Sequence, residues 1–156
     1  MSFITTRMPS GFPGEVTRID GSVIEPCQVG DSDLVHGQPV KIVGNKLVPL
    51  EAGDAAADLY GFVCRSYPSQ GGIGSTTPET IKAGTVADVL RSGYMAVSLA
   101  VGTAAKAGTV YVRISAASGS IGDIEAALVA DETVAVNATF MGAADADGIT
   151  EIAYNI

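Results

Sequence analysis

The chain has no tryptophan, one histidine, two cysteines and only nine basic side chains in 156 residues. Each shortage removes a class of chemistry. With His36 alone, in "DLVHGQP", a Ser-His-Asp or Cys-His nucleophile would have to be built on one ring, and no GxSxG-type setting stands beside it. His36 therefore reads as a surface or loop histidine. Cys27 and Cys64 lie far apart with no CxxC and no histidine cluster, so two buried free thiols in a reducing cytosol are expected, and no metal site or redox pair. The basic residues are scattered singly and the formal charge is −8. Nucleic acids are held largely by Lys and Arg that displace counterions, so no nucleic-acid partner is expected. All charged residues together make up 17%, against about 25% in an ordinary soluble domain. The surface must then be rich in Ala, Gly, Ser and Thr, and such a surface tolerates being covered. Long apolar runs are missing too: "YMAVSLAVGTAA" falls short of the roughly 20 residues that span a bilayer, and "MSFITTRMPS" lacks the apolar core of a signal peptide. Neither a membrane nor secretion is expected.

What is present is a periodicity of two. In "TVYVRIS" Val110, Val112 and Ile114 share one side, while Thr109, Tyr111, Arg113 and Ser115 take the other. "YMAVSLA" sets Met95, Val97 and Leu99 against Tyr94, Ala96 and Ser98, and the two strands are joined by "VGTAAKAG". "PVKIVGNKLVPL" places Gly44-Asn45 between β-rich runs, which predicts a hairpin over residues 39–49. At the C-terminus, Val134, Val136, Ala138 and Phe140 form one face, "ADADG" supplies a turn, and Ile152, Tyr154 and Ile156 line the returning strand. "GEVTRID", "DLYGFVCRS" and "TVADVLR" are further strands, with Tyr60 and Phe62 in the core or at its rim. "GDIEAALVADE" could form a helical turn or two with Ile121, Ile124 and Leu128 aligned, and "SYPSQGGIGSTTPET" is a loop. Many short strands, 19 Gly and 7 Pro predict one all-β domain over residues 1–156, a small antiparallel barrel or sandwich with long loops. A chain of this length buries roughly two-thirds of its extended surface.

Motifs that carry chemistry are weak throughout. "GGIGST" lacks the Lys and the spacing of a phosphate loop, and "DADG" at 145–148 is an incomplete calcium loop that doubles as a turn signal. Asp31/Asp33 and Asp131/Glu132 are not placed in contrasting environments, as acid/base catalysis requires, and read as solvated loop charges. "NAT" at Asn137 matches a glycosylation acceptor, idle without secretion. No enzyme, cofactor or metal is expected.

The stretch "MPSGFPGEVTR" is an apolar opening with too few residues to bury itself. Together with "YGFVCRSYP", "VADVLRSGYMAV", "GTVYVRI", "IGDIEAA" and "ADADGITEIAYNI", it resembles the structural cement, or capsid decoration, proteins of tailed bacteriophages, in order through nearly the whole chain. That resemblance implies a non-enzymatic β protein on the exterior of the virion's icosahedral capsid, made in the host bacterial cytoplasm. It would bridge major capsid protein subunits, stabilise the head against genome pressure, and assemble with itself as a trimer or dimer. Under this reading residues 1–18 are an extended arm lying across a neighbouring subunit, with Phe12 and Pro13 as apolar contacts and Arg7 and Arg18 beside them. The alternative is that the arm folds back as an edge strand with Phe12 in the local core. Asp88 and Arg91 interrupt an apolar strand and should form an ion pair or an intersubunit contact. A carbohydrate or host-surface binding module is the competing function, but it would want exposed aromatics as stacking platforms, and only nine aromatics are present.

Overall fold

Alternating side chains do become strands, and the turns between them decide how the strands close. The computed structural model describes residues 11–65 and 80–156. Its strands are β1 (Val16–Val29), β2 (Leu34–Val35), β3 (Pro39–Val43), β4 (Lys46–Pro49), β5 (Gly61–Val63), β6 (Thr80–Ile81), β7 (Val86–Val101), β8 (Thr109–Arg113), β9 (Ile124–Glu125), β10 (Thr133–Phe140) and β11 (Ile149–Tyr154). Among the described residues the single helical element is a 3-10 turn at Ala56–Asp58, and no helix is long and apolar enough to cross a membrane.

Nine strands form one sheet that closes on itself twice. One circuit runs β1-β4-β3-β5-β7 and back to β1, and the other runs β7-β11-β10-β8-β9 and back to β7. The all-β expectation holds, but the sheet is mixed, with β1–β4 and β7–β9 parallel. The reason is parity. Strands that alternate up and down around a ring of five cannot all be antiparallel, so each circuit must contain one parallel pair. Both parallel pairs are short, as the weaker geometry would favour.

β7 belongs to both rings. It merges the two expected strands "TVADVLR" and "YMAVSLA" into one of 16 residues. Val89 packs in a core with Val29, Leu34, Val40, Leu47 and Val63, whereas the adjacent Leu90 packs in a second core with Phe62, Met95, Phe140, Ile152 and Tyr154. β5 does the same, since Phe62 and Val63 point to opposite faces and both are fully buried. Two small barrels therefore share a wall, and neighbouring residues of that wall are apolar on both sides. Phe62 meets Tyr154 edge-to-face, with ring centroids 5.0 Å apart. Tyr60 lies at the rim, half-buried.

Gly93, which reads as a break in the sequence, is a crossing point. It takes φ +137, and a Cβ there would sit 2.3 Å from Ser22 Oγ, so only glycine lets β1 pass so close. The hairpin at 39–49 forms as expected, with Gly44 and Asn45 both at positive φ (56° and 66°). Three expectations are corrected. Residues 122–132 carry β9 and turns instead of a helix, because Gly122 takes φ +91 and Glu125 is held in a buried ion pair. The last strand stops at Tyr154: Asn155 turns left-handed (φ 53), and Ile156 is 70% exposed. His36 lies in a loop but is buried, with Nδ1 3.3 Å from the Cys64 carbonyl oxygen.

Candidate functional site

Residues 11–15 form a tight turn. The Glu15 N–H donates to the Phe12 carbonyl (3.0 Å), and the Glu15 carboxylate accepts the Phe12 N–H (3.1 Å). Gly14 wedges this turn into the body of the protein: its N–H donates to Ala96 O (2.8 Å), and its carbonyl accepts the Arg65 N–H (2.7 Å). A Cβ on Gly14 would lie 2.8 Å from the Gly37 nitrogen, so no other residue fits. From Val16 the chain pairs with β7, Val16 opposite Met95 and Arg18 opposite Tyr94. Residues 16–18 of the expected arm are thus part of the sheet, and Gly14 and Glu15 before them are hydrogen-bonded to Ala96 of β7.

Phe12 is not in the local core, however. Its ring is 63% exposed, with the Arg65 guanidinium 5.0 Å above it, and Pro13 is half-buried beneath. The turn holds an apolar ring outward on a fixed backbone.

Arg18 is committed within the chain. Its guanidinium makes a forked pair with Glu151 (3.1 and 2.9 Å) and lies 4.0 Å from the centre of the Tyr94 ring, and the Thr17 hydroxyl donates to the same carboxylate. Arg91 stacks on Tyr60 at 3.6 Å, donates to the Tyr60 carbonyl and pairs with Glu25 at 3.6 Å. Tyr60 in turn donates its hydroxyl to Glu25 (2.5 Å), and this bond pushes the Tyr60 pKa up. Arg91 therefore pairs with Glu25 across to β1. Asp88, half-buried, sits near Cys64, whose thiol is pushed up to about 12 by burial first and by the Asp88 charge second. Cys27 is only half-buried, against the expectation of two buried thiols. Arg7 and the "GGIGST" segment lie outside the described residues.

The acidic motifs resolve into turns and pairs. In "DADG" the Asp145 Oδ1 accepts the N–H groups of Asp147 (3.0 Å) and Ile149 (2.8 Å), which closes the turn before β11. Asp33 pairs with Lys82 (2.7 Å) and accepts the Ala83 N–H (2.9 Å). Asn137 Nδ2 donates to the Asn155 side chain (3.0 Å).

The feature that alternation hides is Arg113. It falls on the side of β8 read as outward, yet it is 2% exposed. β9 and the 115–123 loop cover it. Its Nε donates to the fully buried Glu125 (2.5 Å), and its Nη1 donates to Ser118 (2.9 Å) and to Glu132. Gly119 lies flat against the guanidinium, where a Cβ would stand 2.7 Å from Nε. Glu125 Oε2 has no partner among the described residues. The partners lie 12 and 19 positions away in the chain, a spacing that no local pattern reveals.

These pairs set a pH dependence. The hydrogen bond from Ser118, and then Arg113, hold the Glu132 carboxyl below its usual 4.5; Lys82, and then the Ala83 N–H, hold Asp33 below 3.8. A depressed folded-state pKa contributes stability that is complete above the unfolded value and is lost as pH falls through the folded one. The melting temperature is expected to fall below about pH 4.5 as these carboxylates protonate. A melting series from pH 7 to 2.5 checks this; a decline centred near pH 6.5 would contradict it.

Comparison with known proteins agrees with this architecture. A protein family described as XM1 gp53 minor capsid protein matches residues 1–154. Among solved structures, a chain of the capsid of Myoviridae phage XM1 superposes with a TM-score of 0.73 at 19% identity, over 98% of this chain and 95% of that one. No curated protein sequence matches.

Proposed function

The chain belongs to the XM1 gp53 minor capsid protein family, and from that premise we propose that it lies on the outside of a tailed-phage head, bridges neighbouring major capsid subunits and reinforces the shell. As a minor capsid protein its role is structural and its place is the virion. The observation that carries the finer reading is Phe12, 63% exposed on a turn locked by Gly14. An apolar ring fixed in an outward position loses little conformational entropy when a partner covers it. Pro13 extends that contact, Arg7 is carried as a further contact on the sequence alone, and Arg18, paired with Glu151, is a lesser one. Asp88 and Arg91 on β7 are second-rank contacts, since Arg91 is already tied to Tyr60 and Glu25. The weakly charged surface adds to the case, because covering it desolvates few ions. The charge of −8 is tolerable on a shell exterior, which does not touch the packaged genome.

Phe12→Ala isolates the contact. Because the ring is mostly exposed, stability should change by no more than about 0.5 kcal/mol. Loss of roughly 2 kcal/mol of apolar burial should weaken attachment to undecorated heads about 30-fold per site. Add-back of purified protein to heads lacking it, followed by heating and osmotic shock, tests the function: restored resistance with the wild-type chain and weaker rescue by Phe12→Ala are expected. Heads that resist equally with and without the protein would contradict the reading.

A further inference from the structure

Asp-Gly occurs twice in the chain, at Asp20-Gly21 and at Asp147-Gly148, and Asn-Gly does not occur. Such a step carries a reaction of its own. Glycine has no side chain to crowd its nitrogen, so that nitrogen can reach the carboxyl carbon of the preceding aspartate and close a five-membered ring. In a folded chain the glycine N–H decides the matter, because one held in a hydrogen bond turns toward the side chain only after the bond breaks.

The fold treats the two steps oppositely. The Gly148 N–H donates to the Asp145 carbonyl (3.1 Å), and the Asp145 carboxylate accepts the N–H groups of Asp147 (3.0 Å) and Ile149 (2.8 Å). The main chain is thus held on both sides of the Asp147-Gly148 bond. At residues 19–22 no such closure exists. β1 pairs with β7 at Arg18 opposite Tyr94 and again at Val23 opposite Ser92, so four residues bulge out opposite Gly93 alone. Asp20 and Gly21 are exposed, and among the described residues no strand pairs with 19–22. The Ser22 hydroxyl donates to the Arg18 carbonyl (2.5 Å), which gathers the bulge at its base and leaves the tip outside. Gly21 takes φ +82, and a Cβ there would meet nothing within 4 Å, so the main chain has room to rearrange.

We propose that Asp20-Gly21 is a site of spontaneous isoaspartate formation in the folded protein, and that Asp147-Gly148 is protected from it. The Gly21 nitrogen bonds to Asp20 Cγ as its N–H proton passes to solvent, and a carboxyl oxygen leaves as water, which gives the succinimide. Water then adds to one of the two ring carbonyls. Opening at the main-chain carbon leaves the chain linked through Cγ, with one more carbon in the backbone and the carboxylate on the former main-chain carbon; opening at Cγ restores aspartate. One water leaves and one enters, and nothing is oxidised or reduced. Both ends of the bulge stay anchored, Arg18 on Glu151 and Ser22 against Gly93, so the added carbon is absorbed outside the two cores and the product accumulates in folded protein. The inference needs only the fold and stands apart from attachment to heads.

The full chain, held for weeks at neutral pH and physiological temperature, is digested and its peptides are fragmented by electron transfer, which distinguishes isoaspartate from aspartate. Residue 20 should carry at least about tenfold more isoaspartate than residue 147, the factor set by breaking one or two hydrogen bonds of the closed turn. In guanidinium chloride, where neither turn survives, the two steps should convert at similar rates. Asp20→Glu keeps the charge but would need a six-membered ring, so total isoaspartate in the folded protein, read by enzymatic methylation, should fall to a minor fraction of the wild-type amount. Equal conversion at the two steps in the folded protein, or more at residue 147, would overturn the proposal. So would a folded chain that stays unconverted at residue 20 while the denatured chain converts, or an Asp20→Glu chain with undiminished isoaspartate. A preference for residue 20 that persists unchanged in guanidinium chloride would assign it to sequence and overturn the structural argument as well.

Discussion

Arg113→Met is expected to lower the melting temperature by about 10 °C or more. The substitution keeps the apolar stem and removes the cation that, among the described residues, faces Glu125, fully buried, and Glu132. Glu132 can turn toward water, since its side chain is 25% exposed. Glu125 cannot, and one of its oxygens has no partner among the described residues even in the intact protein. Breaking a buried pair on one side leaves an uncompensated charge, whereas replacing both sides with apolar groups is often close to neutral. Arg113→Met/Glu125→Leu should therefore recover most of the loss. Thermal melts of the two variants decide the matter: a single mutant as stable as wild type would show that the pair holds nothing together, and a double mutant no better than the single would place the cost in packing against Gly119.

Gly61→Ala should be still more damaging, with little or no soluble folded protein. At Gly61 a Cβ would lie 2.3 Å from the Leu90 carbonyl oxygen and 2.6 Å from a Val89 methyl. The first obstacle is main chain, which cannot swing aside, and the second is a fully buried side chain. β5 would have to leave β7, and Phe62 and Val63 would leave both cores with it. Gly44 provides the contrast: its Cβ would meet open space, and Asn tolerates its positive φ, so Gly44→Asn should be nearly silent. Expression yield and melting curves of the two variants separate them. A Gly61→Ala protein that melts like wild type would refute the shared-wall description.

Much of the architecture was legible because it rests on short-range rules. Val110 and Val112, the 133–140 alternation and the Gly44-Asn45 hairpin each depend on neighbours two residues away, and each is where the pattern puts it. What escaped depends on distant closure. Arg113 reads as outward because alternation tells which residues share a face and says nothing of what later covers it; β9, which begins eleven residues on, does so. The doubling of the barrel is hidden for the same reason, since adjacent apolar residues such as Val89-Leu90 resemble an ordinary buried strand until two cores are seen on its two sides. At the candidate contact, composition drew attention to the apolar opening and to Phe12. It could not show that Gly14 and Val16 dock while the ring between Gly11 and Pro13 stays outside, because that division depends on Ala96 and Arg65.

The most direct test of the account is an image reconstruction of intact heads carrying this protein. The account predicts two fused barrels on the outer surface, set over seams between major capsid subunits, with the turn at Phe12 buried against a neighbour. Density for the chain on the inner wall of the shell, or a copy whose Phe12 faces open solvent at every position, would contradict it.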